Sequence, residues 1–265
     1  SEYFYDILPF LDKRLKKIDL FHAFSEDDER ENSVVKTAKF IDFRIVINQK
    51  AKEYLEIFYK KGEVLDELQK VQIIQNGIPI FKQYFSKSTH LEVSFIGRWA
   101  DEKRPFLYLK AAKIIKSRNK NITFNIAGSG LRSHIVEIKS HEVNCLGDIE
   151  NVLDLNELYK KTHIVVLTSV YEGFPMVFME GMSYGCVPIT TNVGGVSEHL
   201  KDGVNGFLIN ETDEDRIVEQ LIKKIEFCIS NRTILDGISN NCREYAGSHF
   251  AIENFNHSYQ NLINS

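Results

Sequence analysis

From about residue 91 onward the chain alternates between two patterns. Short, nearly continuous apolar runs recur at 93–96, 122–127, 164–167, 187–190 and 206–209. Between them, residues 105–118, 131–141, 155–161, 176–184 and 196–200 carry apolar positions at helical spacing. Strands that are apolar throughout are covered on both faces, and their alternation with amphipathic helices predicts a parallel sheet. The expected fold class is α/β, a doubly wound parallel sheet of Rossmann-like form. Two long helices follow, at 213–230 and from 233 to about 250, and an amphipathic stretch at 255–263 closes the chain.

The first 90 residues read differently. Strand-like runs lie at 18–24, 43–47 and 71–74, with a helix at 49–61. Asn76-Gly77-Ile78-Pro79 is a strong turn signal after the third run. The block Glu26-Asp27-Asp28-Glu29-Arg30-Glu31 predicts a solvated loop or a helix start. Three strands are few for a complete α/β unit. Residues 1–87 are therefore expected to be the closing part and linker of a domain whose beginning lies upstream of Ser1. Residues 88–250 form the expected ligand-binding domain, and 251–265 a terminal helix.

Composition narrows the function. Of the 265 residues, 43% are hydrophobic and 26% charged, enough for a packed core. Fifteen Gly and five Pro exclude collagen-like and low-complexity chains. A net charge of −4 argues against a nucleic-acid binder that works through a global positive field. No apolar run of about 18 residues is present to cross a bilayer. Cys145, Cys186, Cys228 and Cys242 form no C-x-x-C pair, which suits reduced thiols and a cytoplasmic setting. The sequence contains no H-E-x-x-H, G-x-S-x-G or Walker A pattern. Asp213-Glu214-Asp215 has D-x-D spacing but opens a helix, where acids serve as cap and dipole partners. No metal is expected.

Four segments carry candidate chemistry, each at a strand-to-helix junction where open α/β sheets bind ligands. Gly97-Arg98-Trp99 leads through Glu102 to Lys103-Arg104-Pro105 and places two cations, Arg98 and Lys103, where an anion could meet them. Residues 88–120 hold eight basic and three acidic side chains, although a solvated helix face accounts for those from Lys110 to Lys120. Ala127-Gly128-Ser129-Gly130 permits close backbone approach at a helix start, yet lacks the third glycine of a dinucleotide fingerprint. Ser169-Val170-Tyr171-Glu172-Gly173-Phe174-Pro175-Met176-Val177 leads into a helix that reaches Glu180. Its first amides are unpaired donors, and the two carboxylates, seven residues apart, suit a ligand with an anionic centre and hydroxyl-rich ends. Thr191-Asn192-Val193-Gly194-Gly195-Val196-Ser197-Glu198 holds a glycine pair at a further place for backbone to meet phosphate. Asp202-Gly203-Val204-Asn205-Gly206 is a structural turn.

In the order and spacing of these motifs, from about Val93 to Ile209, the sequence resembles the C-terminal half of GT-B fold retaining glycosyltransferases of group 1 (GT4-type). The Glu172–Glu180 element is the most diagnostic. The resemblance implies transfer of a sugar from a nucleotide-sugar donor, in polysaccharide biosynthesis, to an unidentified glycan or lipid-linked acceptor. It implies that Arg98 and Lys103 grip the donor diphosphate, Glu172 touches the transferred sugar and Glu180 holds the ribose. The backbone of Phe174, Pro175, Met176 and Val177 would bind sugar and phosphate. Gly97, Gly128, Gly130, Leu146 and Gly147 would line the donor and base pocket, and the last helices would brace the first domain. Arg104 departs from the family, which usually has Gly there, and Gly181 replaces a usual Ala. His22 is a weaker candidate for a site histidine of the first domain. Peripheral membrane association would run through the missing part of that domain. Three other readings compete: a donor-binding fragment without activity, a sugar-nucleotide epimerase of the same architecture, and a nicotinamide-dependent oxidoreductase.

Overall fold

The computed structural model describes residues 2–21, 29–81 and 86–265. His22, residues 26–28 of the acidic block and residues 82–85 of the expected linker lie outside them. The chain builds two parallel sheets. In the first, β1 (Ile18–Phe21), β2 (Phe43–Val46) and β3 (Val71–Ile73) lie in the order β1-β2-β3. Helices α1 (Glu2–Ile7), α2 (Glu31–Thr37) and α3 (Gln49–Lys61) accompany it. Alternation along β2 sends Val46 to one face, against Leu55, Phe58 and Tyr59 of α3, and Ile45 to the other. Arg44 is wholly buried between these strands and helices. Its guanidinium donates to Asp19 (3.0 Å), to the Val34 carbonyl (2.9 Å), to Thr37 (3.2 Å) and to the Tyr59 hydroxyl. A buried charge persists only when paired and bonded in this way.

The second sheet has six parallel strands, β4 (Leu91–Ile96), β5 (Ile122–Ala127), β6 (Asn144–Gly147), β7 (Ile164–Leu167), β8 (Val187–Thr191) and β9 (Phe207–Ile209). Their order is β6-β5-β4-β7-β8-β9. The crossovers are α4 (Pro105–Arg118), α5 (Ile135–Ser140), α6 (Val152–Lys161), α7 (Met176–Ser183) and α8 (Val196–His199). This order is that of a doubly wound sheet, with its topological switch between β4 and β7. Strands β7 and β8 are buried end to end, and β4 and β5 are buried except at Glu92 and Thr123, as near-continuous apolar runs require. The edge strand β6 alternates between exposed and half-buried positions, so no apolar run announces it.

Helices α9 (Glu214–Ser230), α10 (Arg232–His249) and α11 (Ile252–Asn264) complete the chain. Asp213 caps α9 by accepting from the Arg216 amide at 3.0 Å. The chain then returns to the first sheet. Ile78 pairs with Ala251, its amide donating to the Phe250 carbonyl (2.8 Å) and its carbonyl accepting from Ile252 (2.9 Å). Phe255, Tyr259 and Leu262 of α11 close over Ile45 and Ile74 on the face of the first sheet opposite α3. Among the described residues no helix is long and apolar enough to cross a membrane, and all four cysteines are free.

Candidate active site

Two loops meet above the switch point. One leaves β4 and carries Gly97 to Arg104; the other leaves β7 and runs from Thr168 to Pro175 at the start of α7. They are bonded along their length. The Val170 amide donates to the Glu102 carbonyl (2.8 Å), and the Thr168 hydroxyl donates to the carbonyls of Lys103 (3.1 Å) and Arg104 (2.8 Å). The Arg104 guanidinium donates back to the carbonyls of Thr168 (2.7 Å) and Ser169 (3.2 Å).

This lacing brings Lys103 and Glu172 together. The ammonium lies 2.6 Å from Glu172 Oε1, and the Ser169 hydroxyl donates to the same oxygen at 2.5 Å. Glu172 is 9% exposed at its side chain and Lys103 21%. These two donors supply the hydrogen bonds that a buried carboxylate requires. The ammonium has three protons and Glu172 takes one, so two remain to meet an anion in the crevice. The loop beneath is held from β8, where the Thr191 hydroxyl donates to the Ser169 carbonyl at 2.6 Å. Gly194 lies under the Glu172 carbonyl at a φ of +56°, where a Cβ would stand 1.8 Å from that oxygen.

Beyond Glu172 the ring of Phe174 is buried against Phe178, His199 and Phe250, which anchors the loop from below. Pro175 is the N-cap of α7, and no side chain caps this helix. The amides of Met176 and Val177 are therefore its first donors, at the positive end of the helix dipole. Glu180 lies half-buried one turn further along and accepts from the Tyr159 hydroxyl at 2.8 Å. Burial pushes its carboxyl above the usual range, and the Tyr159 hydrogen bond opposes this only in part.

The remaining predicted residues stand around the same edge. Arg98 is exposed, and its guanidinium meets Glu102 at 2.8 Å, on the solvent side of the loop. Gly97 donates to the Ala127 carbonyl (2.9 Å), and Gly128 to that of Gly147 (2.8 Å), so the ends of β4, β5 and β6 are tied together. Gly128 faces Gly97, where a Cβ would sit 2.0 Å from the carbonyl oxygen. Gly130 backs onto Trp99, whose ring stacks on His134 with centroids 3.9 Å apart. Leu146 is exposed, and Gly147, at a φ of +73°, has nothing within 4 Å of a Cβ built there.

Sequence reasoning gave no role in holding the site to several residues, although three of them, Arg104, Ser169 and Thr191, stand within its motifs. Arg104, Thr168, Ser169 and Thr191 act through contacts between segments, which no local spacing announces. It also missed the junction with the first sheet. Glu198 of α8 accepts from the Gln49 and Lys50 amides at 2.7 and 3.0 Å, capping α3 across the two sheets. Asn48 lies against Gly195, and Gln75 reaches His199 at 3.3 Å. His199 is held neutral, its pKa lowered to about 4 by burial.

A family model for glycosyl transferases group 1 matches residues 78–246. A relative in Campylobacter jejuni, named GalNAc-alpha-(1→4)-GalNAc-alpha-(1→3)-diNAcBac-PP-undecaprenol alpha-1,4-N-acetyl-D-galactosaminyltransferase, is 29% identical over 231 residues, covering 81% of this chain and 59% of the relative. The UDP-Gal:alpha-D-GlcNAc-diphosphoundecaprenol alpha-1,3-galactosyltransferase of Escherichia coli is 27% identical, covering 66% of this chain and 49% of its own. The chain thus spans about half the length of these curated relatives. Among solved structures, Anabaena HepE in complex with UDP and glucose superposes with a TM-score of 0.76 at 20% identity, over 95% of this chain and 72% of that one. TarM superposes with the same TM-score and identity over 96% of this chain and 51% of its own. These two structures carry the fold, a GT-B Rossmann-like domain. The family model extends across all the loops described above and well over half of the chain, and on that match the chain belongs to the group 1 glycosyltransferases.

Proposed function

We propose that this chain supplies the donor site of a retaining glycosyltransferase, a hexosyltransferase that moves sugar from a nucleotide-sugar to a glycan or lipid-linked acceptor. Residues 88–250 bind the donor, residues 1–87 belong to the acceptor side, and 251–265 cross back to join them. The observation that carries this reading is the Lys103–Glu172 pair at the switch point, beside the uncapped start of α7. Both lipid-linked relatives are named for glycosyl transfer, and HepE was crystallised with UDP and glucose.

Breaking an anomeric C–O bond builds oxocarbenium character on the sugar and negative charge on the departing diphosphate. Fixed donors aimed at that charge are the largest aid available. Lys103 presents two free N–H donors to the diphosphate, and the amides around Met176 and Val177 present theirs from the helix start. Arg98 turns from Glu102 to join them. Glu172 stays on Lys103 and accepts from a hydroxyl of the transferred sugar. Glu180 accepts from the ribose, and Gly128, Gly130, Leu146 and Gly147 line the base recess. As the family resemblance implies, the acceptor attacks from the face that the diphosphate leaves, and the departing phosphate takes its proton.

The test is titration of the chain and its Lys103→Ala variant with UDP and GDP. Loss of a charged donor to phosphate weakens binding about 10- to 100-fold. Equal affinity of both proteins for both nucleotides would remove Lys103 from the site. Incubation with a sugar nucleotide and no acceptor should return the sugar with its configuration unchanged; an isomerised sugar would make the protein an epimerase.

A further inference from the structure

The loop after β4 carries three cations with different fates. Arg98 is neutralised by Glu102 and Lys103 by Glu172. Arg104 has no carboxylate within ion-pair distance among the described residues. Its guanidinium is spent on two backbone carbonyls of the other loop, those of Thr168 and Ser169. Its backbone is in the left-handed region, at a φ of +46°, where an L side chain is at a disadvantage and glycine is not. Burial also lowers the pKa of the guanidinium, against a weaker attraction from Glu214. Two costs at one position call for a compensating interaction, and the bonds to the Thr168 and Ser169 carbonyls supply it. The planar fork of arginine suits two adjacent oxygens; an ammonium reaches one of them at a time.

The position of these bonds decides what they do. Ser169 provides the hydroxyl that meets Glu172 Oε1, and Lys103, immediately before Arg104, provides the ammonium that meets the same oxygen. We infer that Arg104 is a positioning residue: by clamping the Thr168 and Ser169 carbonyls it sets Lys103 against Glu172, so that the free N–H donors of Lys103 face the crevice before the diphosphate arrives. Arg104 touches neither phosphate nor sugar and acts through Lys103. This inference rests on reading the crevice as the donor site.

The experiment is a double-variant cycle on the full chain, read by UDP and GDP titration, with thermal unfolding followed alongside. Arg104→Gly suits the backbone conformation, so its midpoint should stay within about 4 °C of the parent. Its nucleotide affinity should nevertheless fall about tenfold. Arg104→Lys should recover part of that loss, because one carbonyl is still held. In the Lys103→Ala background Arg104→Gly should cost less than about twofold, since the group it positions is gone. Equal losses in both backgrounds would make Arg104 a general structural support and overturn the inference, as would full affinity in Arg104→Gly. A parent and Lys103→Ala that bind nucleotide equally would sink the donor-site reading itself. If Lys103→Ala binds weakly while Arg104→Gly binds normally, only the positioning role is lost.

Discussion

Substituting Gly194 by alanine perturbs Glu172 without touching its side chain. A Cβ at this position would lie 1.8 Å from the Glu172 carbonyl oxygen. An ordinary carbon–oxygen contact needs about 3.3 Å, so the carbonyl must retreat by about 1.5 Å. That atom belongs to a backbone tied down by Thr191, Arg104 and Thr168, and it cannot swing aside as a side-chain tip would. The φ of +56° adds a backbone cost of about 1–2 kcal/mol for any L side chain. Gly203 separates the two effects. Its φ is +73° and nothing lies within 4 Å of a Cβ built there, so Gly203→Ala meets the backbone cost alone. In a chain of this size each kcal/mol lowers the unfolding midpoint by about 2–4 °C. Gly203→Ala should therefore melt a few degrees lower with nucleotide affinity and turnover unchanged. Gly194→Ala should melt lower still and lose about 100-fold in sugar-nucleotide turnover by the full-length enzyme, the usual cost of an ångström-scale misplacement. Turnover is followed by release of the nucleoside diphosphate. If Gly194→Ala loses no more activity than Gly203→Ala, the backbone of the Glu172 loop does not set the site and this reasoning fails.

Acid should loosen the fold through two histidines, the buried His163 and the half-buried His199. Burial lowers the pKa of His163 and of His199 from 6.5 to about 4. As pH falls below 6.5 the unfolded chain takes up protons that the folded chain refuses, so stability is full above 6.5 and is lost toward pH 4. Between pH 7 and pH 5 each group should cost about 2 kcal/mol, while the raised carboxyl of Glu180 works in the opposite sense. Urea unfolding at both pH values should show the fall, and His199→Gln should remove about half of it; an undiminished fall would clear His199. At the junction of the sheets, Glu198→Ala removes the acceptor of the Gln49 and Lys50 amides. It should cost about 1 kcal/mol and speed hydrogen exchange at the start of α3; unchanged exchange there would mean that the cap contributes nothing.

What the sequence revealed follows from what a local pattern can encode. Strand β7 was legible to the residue because it is buried on both faces and apolar throughout, and β5 because only Thr123 and Asn125 interrupt its apolar run. Helix α4 was legible because Pro105 marks its first turn. Strand β6 escaped because it is an edge strand beginning at Asn144, with alternate residues in solvent. Helix α1 escaped because it is under two turns long and buries few residues, while the acidic block offered a helix start as one reading and α2 begins at its last residue, Glu31. Within the site, the glycines, acids and cations were visible as residue types at strand ends, but their pairing was not. Lys103 and Glu172 are 69 positions apart, and only the strand order, which places β4 beside β7, makes them neighbours.

The glycines show why such a reading stops where it does. A glycine in a strand-to-helix loop suggests space for a ligand, but the same signal arises when two loops of the protein press together. Gly128 gives its space to the Gly97 carbonyl, and Gly194 to that of Glu172. Gly130 lies 3.3 Å, measured from its absent Cβ, from Trp99. Only Gly147 of the predicted donor-pocket turns faces open space. The glycine motifs of this chain therefore serve first to bring the ends of the strands together. The crevice that results is furnished by other residues, Lys103 and Glu172 above all, and the positions that fix these two, Gly194 and Arg104, are recognisable only from the contacts they make.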